Sequence, residues 1–94
     1  MNKDTILLTN FILDKDNKSA SARIYSKEFD LSLWVDIWNI DNEIGYDMDF
    51  NQYIFDLTNT KDLEQQKLQE HLSNYLEEIG CLVDEKLYEL GVFE

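Results

Sequence analysis

The side chains between Glu28 and Thr60 that could do chemistry are almost all carboxylates and aromatic rings. This stretch holds eight Asp or Glu residues, seven aromatic residues and no Lys or Arg. Carboxylates attract basic partners, and Trp and Tyr are side chains that often anchor protein interfaces. The chemistry that this composition favours is therefore the binding of a basic protein.

Catalytic and metal-ligand spacings are weak by comparison. His71 and Cys81 have no companion at a metal-ligand or nucleophile–base spacing, so His71 is expected at a helix edge. Residues 14–19 begin like a calcium loop but lack its later ligands and its glycine. Asp47 and Asp49 lie two residues apart, and a solvated pair is a simpler interpretation than a cation site. We predict no catalytic residue, no metal site and no cofactor.

Two alternating segments predict the strands that position these acids and rings. In residues 31–40 the odd positions 31, 33, 35 and 37 are aliphatic, and in residues 46–55 most of the even positions are apolar. A period of two is typical of a β-strand with one buried face. Most of the remaining positions of both segments carry aromatic or acidic side chains. The two segments therefore predict a hairpin with one aliphatic face and one aromatic, acidic face.

The hairpin register follows from this change of parity. Directly opposed residues share a sheet face, so the numbers of two opposed residues must sum to an odd number. A four-residue loop over 42–45 meets this condition by opposing Asp41 to Tyr46. The glycine that ends this loop suits a positive φ angle. In this register Ile37 faces Phe50 on the aliphatic side.

The same register gathers a second set of side chains on the other face. Trp38 opposes Asp49, and Asp36 opposes Asn51. The residues that we expect to bind a partner, called here the aromatic–acidic face, are Trp34, Asp36, Trp38, Asp47, Asp49 and Tyr53. The alternative is that one or both tryptophans pack in the core against the amino-terminal strands.

The rest of the chain predicts two more strands and a helical part. Residues 5–13 and 19–26 suit strands, and the polar cluster 14–18 between them suits a turn. From Thr60, a candidate N-cap, the apolar spacing becomes helical. The stripe is Leu68, Leu72, Tyr75, Leu76 and Ile79, continued by Val83, Leu87 and Leu90. The helix either breaks at Gly80 or runs through it, and we favour the break.

These elements predict an α+β domain comprising residues 1–94. A four-stranded antiparallel meander over residues 4–57 precedes one or two helices over residues 60–91, which pack on one sheet face. The single cysteine excludes an internal disulfide, and no leader pattern or bilayer-length apolar run is present in this sequence. We therefore expect a cytoplasmic protein.

The net charge indicates the character of the partner. Twenty Asp and Glu against eight Lys and Arg give a formal charge of -12. Such a charge repels nucleic acid and anionic membranes, so an electrostatically steered partner is basic. Spaced carboxylates can stand in for the phosphates of a duplex. The expected function is inhibition by occupying the basic nucleic-acid-binding cleft of a target protein.

In size and charge, though in no motif, the chain resembles the small acidic inhibitors carried by bacteriophages. These include anti-CRISPR proteins, restriction inhibitors and uracil-DNA glycosylase inhibitors, and the resemblance implies a DNA mimic. Two alternatives stay open. One is an immunity protein or antitoxin that neutralises a basic toxin, often a nuclease. The other is a structural subunit that forms homodimers through its helices, marked by an exposed apolar stripe over residues 63–90.

Overall fold

The computed structural model describes residues 3–51 and 60–93, and the side chains from residue 63 onward in the second range. Four strands form one antiparallel sheet in sequence order. The strands are β1 (Ile6–Asp14), β2 (Ser19–Ser26), β3 (Leu31–Asp41) and β4 (Gly45–Phe50). The predicted meander is confirmed. The predicted extension of the sheet from residue 52 to residue 57 lies outside the described residues.

The helical part follows the sheet and packs on one of its faces. Helix α1 (Thr60–Leu72) lies within the predicted helical range, and helix α2 (Leu76–Glu89) follows it. A single 3-10 turn, Ser73–Tyr75, separates the two helices. The α+β fold is therefore confirmed. None of the helices in the described ranges is long and apolar enough to cross a membrane.

The core lies between the sheet and the helices. Sheet side chains with almost no exposure are Ala22, Ile24, Leu33, Val35 and Ile37, and the helical ones are Leu68, Leu72, Ile79, Val83 and Leu87. Leu33, Val35 and Ile37 are residues that the alternation in 31–40 predicts for the buried face. Burial of apolar area at about 25 cal/mol per Å² is the main stabilising contribution of this layer.

The predicted helix break at Gly80 is wrong, because Gly80 lies inside α2. The apolar stripe continues past this glycine as Ile79, Val83 and Leu87, all fully buried. Burial of three aliphatic side chains exceeds the cost of about 0.5–1 kcal/mol for a glycine within a helix.

A different glycine ends the helical part. Gly91 has a φ angle of +78°. The N–H of Val92 donates to the carbonyl of Leu87 at 2.9 Å, and the N–H of Gly91 donates to the carbonyl of Tyr88 at 3.1 Å. These two bonds form a Schellman motif, which requires a left-handed residue after the helix.

The predicted apolar stripe is also corrected at Leu76, whose side chain is 48% exposed. The 3-10 turn Ser73–Tyr75 explains the difference. Each of its residues advances about 120° around the axis, whereas a residue of an α-helix advances about 100°. The turn therefore rotates Leu76 out of the line that joins Leu72 to Ile79. Leu90, at the end of the stripe, is exposed as well.

The β3–β4 hairpin keeps the predicted faces but not the predicted register. Val35 pairs with Phe50, and Ile37 pairs with Met48. From Val35 to Trp38 the opposed numbers still sum to an odd number, so these side chains lie on their predicted faces. The predicted pairing of Ile37 with Phe50 is wrong by two residues.

A β-bulge causes this shift. The pairing is irregular between Trp38 and Asp41, and Asn39 within this interval has a φ angle of +54°. The extra residue in β3 lets Asp41 pair with Gly45, which leaves a three-residue loop instead of four. Gly45 has the positive φ angle that the sequence predicts, at +109°.

Candidate functional site

Trp34, Asp36 and Trp38 lie on the sheet face opposite the helices. They alternate in β3 with residues that are buried under α1 and α2, and successive side chains of a strand point to opposite faces. Trp38 is 40% exposed, and Trp34 and Asp36 are half-buried. The structure thus places these three residues on the predicted face. Their binding role stays a prediction.

The corrected register brings carboxylates into direct opposition. Asp36 pairs with Asp49, where the sequence predicts Asn51, and Trp38 pairs with Asp47, where it predicts Asp49. Opposed residues have Cβ atoms about 4.5–5.5 Å apart, and like charges in this position are destabilising. Among the described residues, no Lys or Arg forms an ion pair with these three aspartates. The acidic part of the face is therefore more concentrated than the sequence predicts.

Local hydrogen bonds orient two of these carboxylates. The Asn39 side-chain amide, within the bulge, donates to Asp47 Oδ2 at 3.0 Å. The backbone N–H of Phe50 donates to Asp49 Oδ1 at 2.8 Å. Both bonds fix a carboxylate without neutralising its charge. The bulge that shifts the register thus also helps to position the acids.

The face is less acidic toward β2. Arg23 pairs with Trp34 across the strands, and its Nε donates to the Ser32 hydroxyl at 2.7 Å. Tyr25 donates its hydroxyl to Asp30 Oδ1 at 2.7 Å, and this hydrogen bond is the main cause of the raised pKa of Tyr25. The strongly negative region is therefore restricted to the β3–β4 half.

Tyr53, the remaining predicted member of the aromatic–acidic face, lies outside the described residues. The last described contact of this segment is the hydrogen bond from the N–H of Asn51 to the carbonyl of Trp34, at 2.9 Å. The place of Tyr53 in the face stays a prediction.

A second constellation joins residues that the sequence does not connect. Asp4 precedes β1, Glu28 lies in the turn between β2 and β3, and His71 lies in the last turn of α1. His71 Nε2 is 2.8 Å from Asp4 Oδ2 and 3.5 Å from Glu28 Oε2. We call these three residues the carboxylate–histidine cluster. The sequence predicts His71 at a helix edge without companions, whereas the structure places it in the last turn of α1 with two acidic companions.

Asp4 is the buried member of this cluster, with 1% of its side chain exposed. Burial raises its pKa, but hydrogen bonds from the Ser26 hydroxyl, the Glu28 N–H and His71 outweigh burial and leave the pKa below its ordinary value. The Glu28 N–H lies 2.9 Å from Asp4 Oδ1. Asp4 is therefore held as a carboxylate by several donors that converge on it.

A further polar contact joins the sheet to α2. The Tyr46 hydroxyl donates to Asp84 Oδ1 at 2.7 Å and lies 3.2 Å from the carbonyl oxygen of Gly80. Burial, followed by the contact with Asp84, raises the pKa of Tyr46 above its ordinary value. This tyrosine is neutral at physiological pH and acts as a structural link.

Comparison with known proteins finds no matching family model, no matching curated protein and no matching solved structure.

Proposed function

We propose that the protein inhibits a nucleic-acid-handling protein by occupying its basic cleft with the aromatic–acidic face. The observation that carries this proposal is the direct opposition of Asp36 and Asp49 beside Asp47, on the face away from the helices. The mutual repulsion of these carboxylates destabilises the free protein. A basic partner relieves this repulsion, and the relief favours the complex.

Trp38 supplies the contact area for such a complex. It lies beside the acidic group, opposed to Asp47, and is 40% exposed. An exposed tryptophan next to charged groups has the composition of an interface anchor, since anchors combine a large ring with surrounding polar contacts. Charge complementarity steers the encounter, and the ring provides the buried area that holds it.

The alternative of a homodimer formed through the helices has less support. The large apolar residues exposed on the described part of the helices are Leu63, Leu76, Tyr88 and Leu90. On α2, Tyr88 lies about 120° from Leu76 around the axis, so the exposed residues do not form one stripe. Single exposed apolar residues are normal on a soluble surface.

The immunity-protein alternative uses the same surface and the same physics. The identity of the partner separates it from our proposal: a toxin nuclease supports immunity, and a host nucleic-acid-handling protein supports a phage-type inhibitor. Both functions place the protein in the cytoplasm of a bacterial or phage-infected cell, where such targets act.

The test compares proteins captured from a bacterial lysate by three baits. The first bait is the wild-type chain. The second carries Asp36→Asn, Asp47→Asn and Asp49→Asn. The third carries Glu70→Gln, Glu77→Gln and Glu85→Gln, which change the net charge equally at exposed positions on the helices.

We expect a basic protein that the wild-type and helix-substituted baits retain and that the bait with the substituted face loses. Loss from both substituted baits would show that total charge, and not the aromatic–acidic face, recruits the protein. Retention by all three baits would also contradict the proposal.

A further inference from the structure

The carboxylate–histidine cluster brings three metal-ligating side chains together from three separate elements. Each of Asp4, Glu28 and His71 contributes one donor atom, and these three atoms lie within 4.8 Å of one another. We propose that this cluster binds a Zn²⁺ ion through Asp4 Oδ2, Glu28 Oε2 and His71 Nε2. This site is separate from the aromatic–acidic face and does not depend on the proposed function.

The donor types and their distances suit this ion. Zn²⁺ binds imidazole nitrogen and carboxylate oxygen at about 2.0–2.2 Å, so two ligands of a tetrahedral site lie about 3.4 Å apart. His71 Nε2 is 2.8 Å from Asp4 Oδ2 and 3.5 Å from Glu28 Oε2. Small side-chain movements would therefore complete the geometry. Three protein ligands leave the fourth position for water.

Neighbouring groups already hold two of the ligands in place. The Ser26 hydroxyl donates to Asp4, and the Glu28 N–H donates to Asp4 Oδ1 at 2.9 Å. The His71 ring contacts two other rings, with centroids 4.7 Å from Phe29 and 5.0 Å from Tyr75. Supporting contacts of this kind orient metal ligands and strengthen binding.

Glu28, the third ligand, gives the ion a path from solvent. The Glu28 side chain is 61% exposed, whereas that of His71 is 20% exposed. A cation attracted by the negative chain can meet Glu28 first and then replace the hydrogen bond between His71 and Asp4. Binding through Nε2 requires a neutral imidazole with its proton on Nδ1. The bound ion would tie the amino terminus, the β2–β3 turn and α1 together.

The test is titration of the full chain with Zn²⁺ alone. His71 is the only histidine, so its imidazole NMR signals need no assignment by mutation. We expect one Zn²⁺ per chain by calorimetry, with a matching shift of the imidazole signals. At free Zn²⁺ about 100 times Kd, Tm should rise by at least about 10 °C, and EDTA should reverse this rise.

Three variants locate the site. His71→Gln and Glu28→Gln should each weaken Zn²⁺ binding by at least about tenfold, since changes even to supporting groups cost about 10–100-fold. Glu43→Gln removes a matched exposed carboxylate from the β3–β4 loop and should bind as the wild type does. Because Glu28 is exposed, its variant should fold.

Two results would overturn the proposal. One is the absence of a one-to-one Zn²⁺ complex in the wild type. The other is unchanged affinity in both His71→Gln and Glu28→Gln, which would show that Zn²⁺ binds to surface carboxylates elsewhere.

Discussion

At the scale of single residues, Asp4 is a buried carboxylate in a chain that already carries an excess of negative charge. Asp4 is enclosed by the Ser26 hydroxyl, the Glu28 N–H and His71, whereas most of the other carboxylates whose side chains are described are exposed. A carboxylate with several donors can be stable as an ion inside a protein. Asp4 therefore stabilises the fold, while the acids of the outer face oppose it.

This difference predicts how stability changes with pH in the absence of added metal. The pKa of Asp4 is lower in the folded protein than in the unfolded chain, where it is about 3.9. Its stabilisation is present above that unfolded value and is lost as pH falls through the lower folded value. At pH 7, Asp4→Asn should lower the free energy of unfolding by about 1.5–3 kcal/mol, the contribution of hydrogen bonds to a charged group.

Urea unfolding of the wild type and Asp4→Asn from pH 7 to pH 3 measures this effect. The difference between the two unfolding free energies should decrease below about pH 4. Asp16→Asn, which removes an exposed carboxylate from the β1–β2 turn, should stay close to the wild type throughout. A difference that is constant with pH would contradict the account of Asp4.

At the scale of elements, local sequence patterns predict the faces of the strands but not the tertiary contacts between elements. Alternation in residues 31–40 identifies the faces of β3, because a period of two follows from strand geometry. The bulge at Asn39 depends on the competition between two registers that both preserve the faces, so alternation alone could not find it. The cluster at Asp4 joins residues 67 positions apart in sequence, and no spacing rule connects them.

The position of Gly80 inside α2 predicts that alanine there is stabilising. An added Cβ would lie 3.9 Å from the Tyr46 hydroxyl, which is an ordinary contact. Gly80→Ala should raise the unfolding free energy by about 0.5–1 kcal/mol in urea melts. Gly91→Ala is the matched control and should lower it by about 1–2 kcal/mol, because its φ angle is +78°. If Gly80→Ala lowered the unfolding free energy as much as Gly91→Ala does, the helix break would lie at Gly80 after all.

Adjacent residues of β3 test the assignment of the two faces. Ile37 is 1% exposed under the helices, and Trp38 is 40% exposed on the other face. Ile37→Ala should cost about 2–5 kcal/mol through lost burial and a cavity. Trp38→Ala should change stability by no more than about 1 kcal/mol in the same melts. Equal losses of unfolding free energy in the two variants would mean that Trp38 belongs to the core and that the outer face has no exposed anchor.

At the scale of the whole molecule, packing and charge occupy different layers. The helices cover one face of the sheet and form the core, while the aromatic and acidic side chains lie on the other face. A net charge of -12 exceeds the magnitude of about 2–8 that solubility requires of a small domain. The excess is the basis for our proposal that a partner of opposite charge binds the aromatic–acidic face, with the exposed Trp38 as its anchor.

The most direct test is displacement of nucleic acid from the captured target. A fluorescently labelled nucleic-acid ligand is first bound to the target, and its anisotropy is followed as the protein is added. The wild type and the variant with Glu70, Glu77 and Glu85 replaced by Gln should displace the ligand at one equivalent. The variant with the three face aspartates replaced by Asn should need at least about tenfold more protein.

A ligand that stays bound at saturating wild-type protein, in a three-component complex, would show that the protein binds outside the cleft. That result would contradict inhibition by occupation.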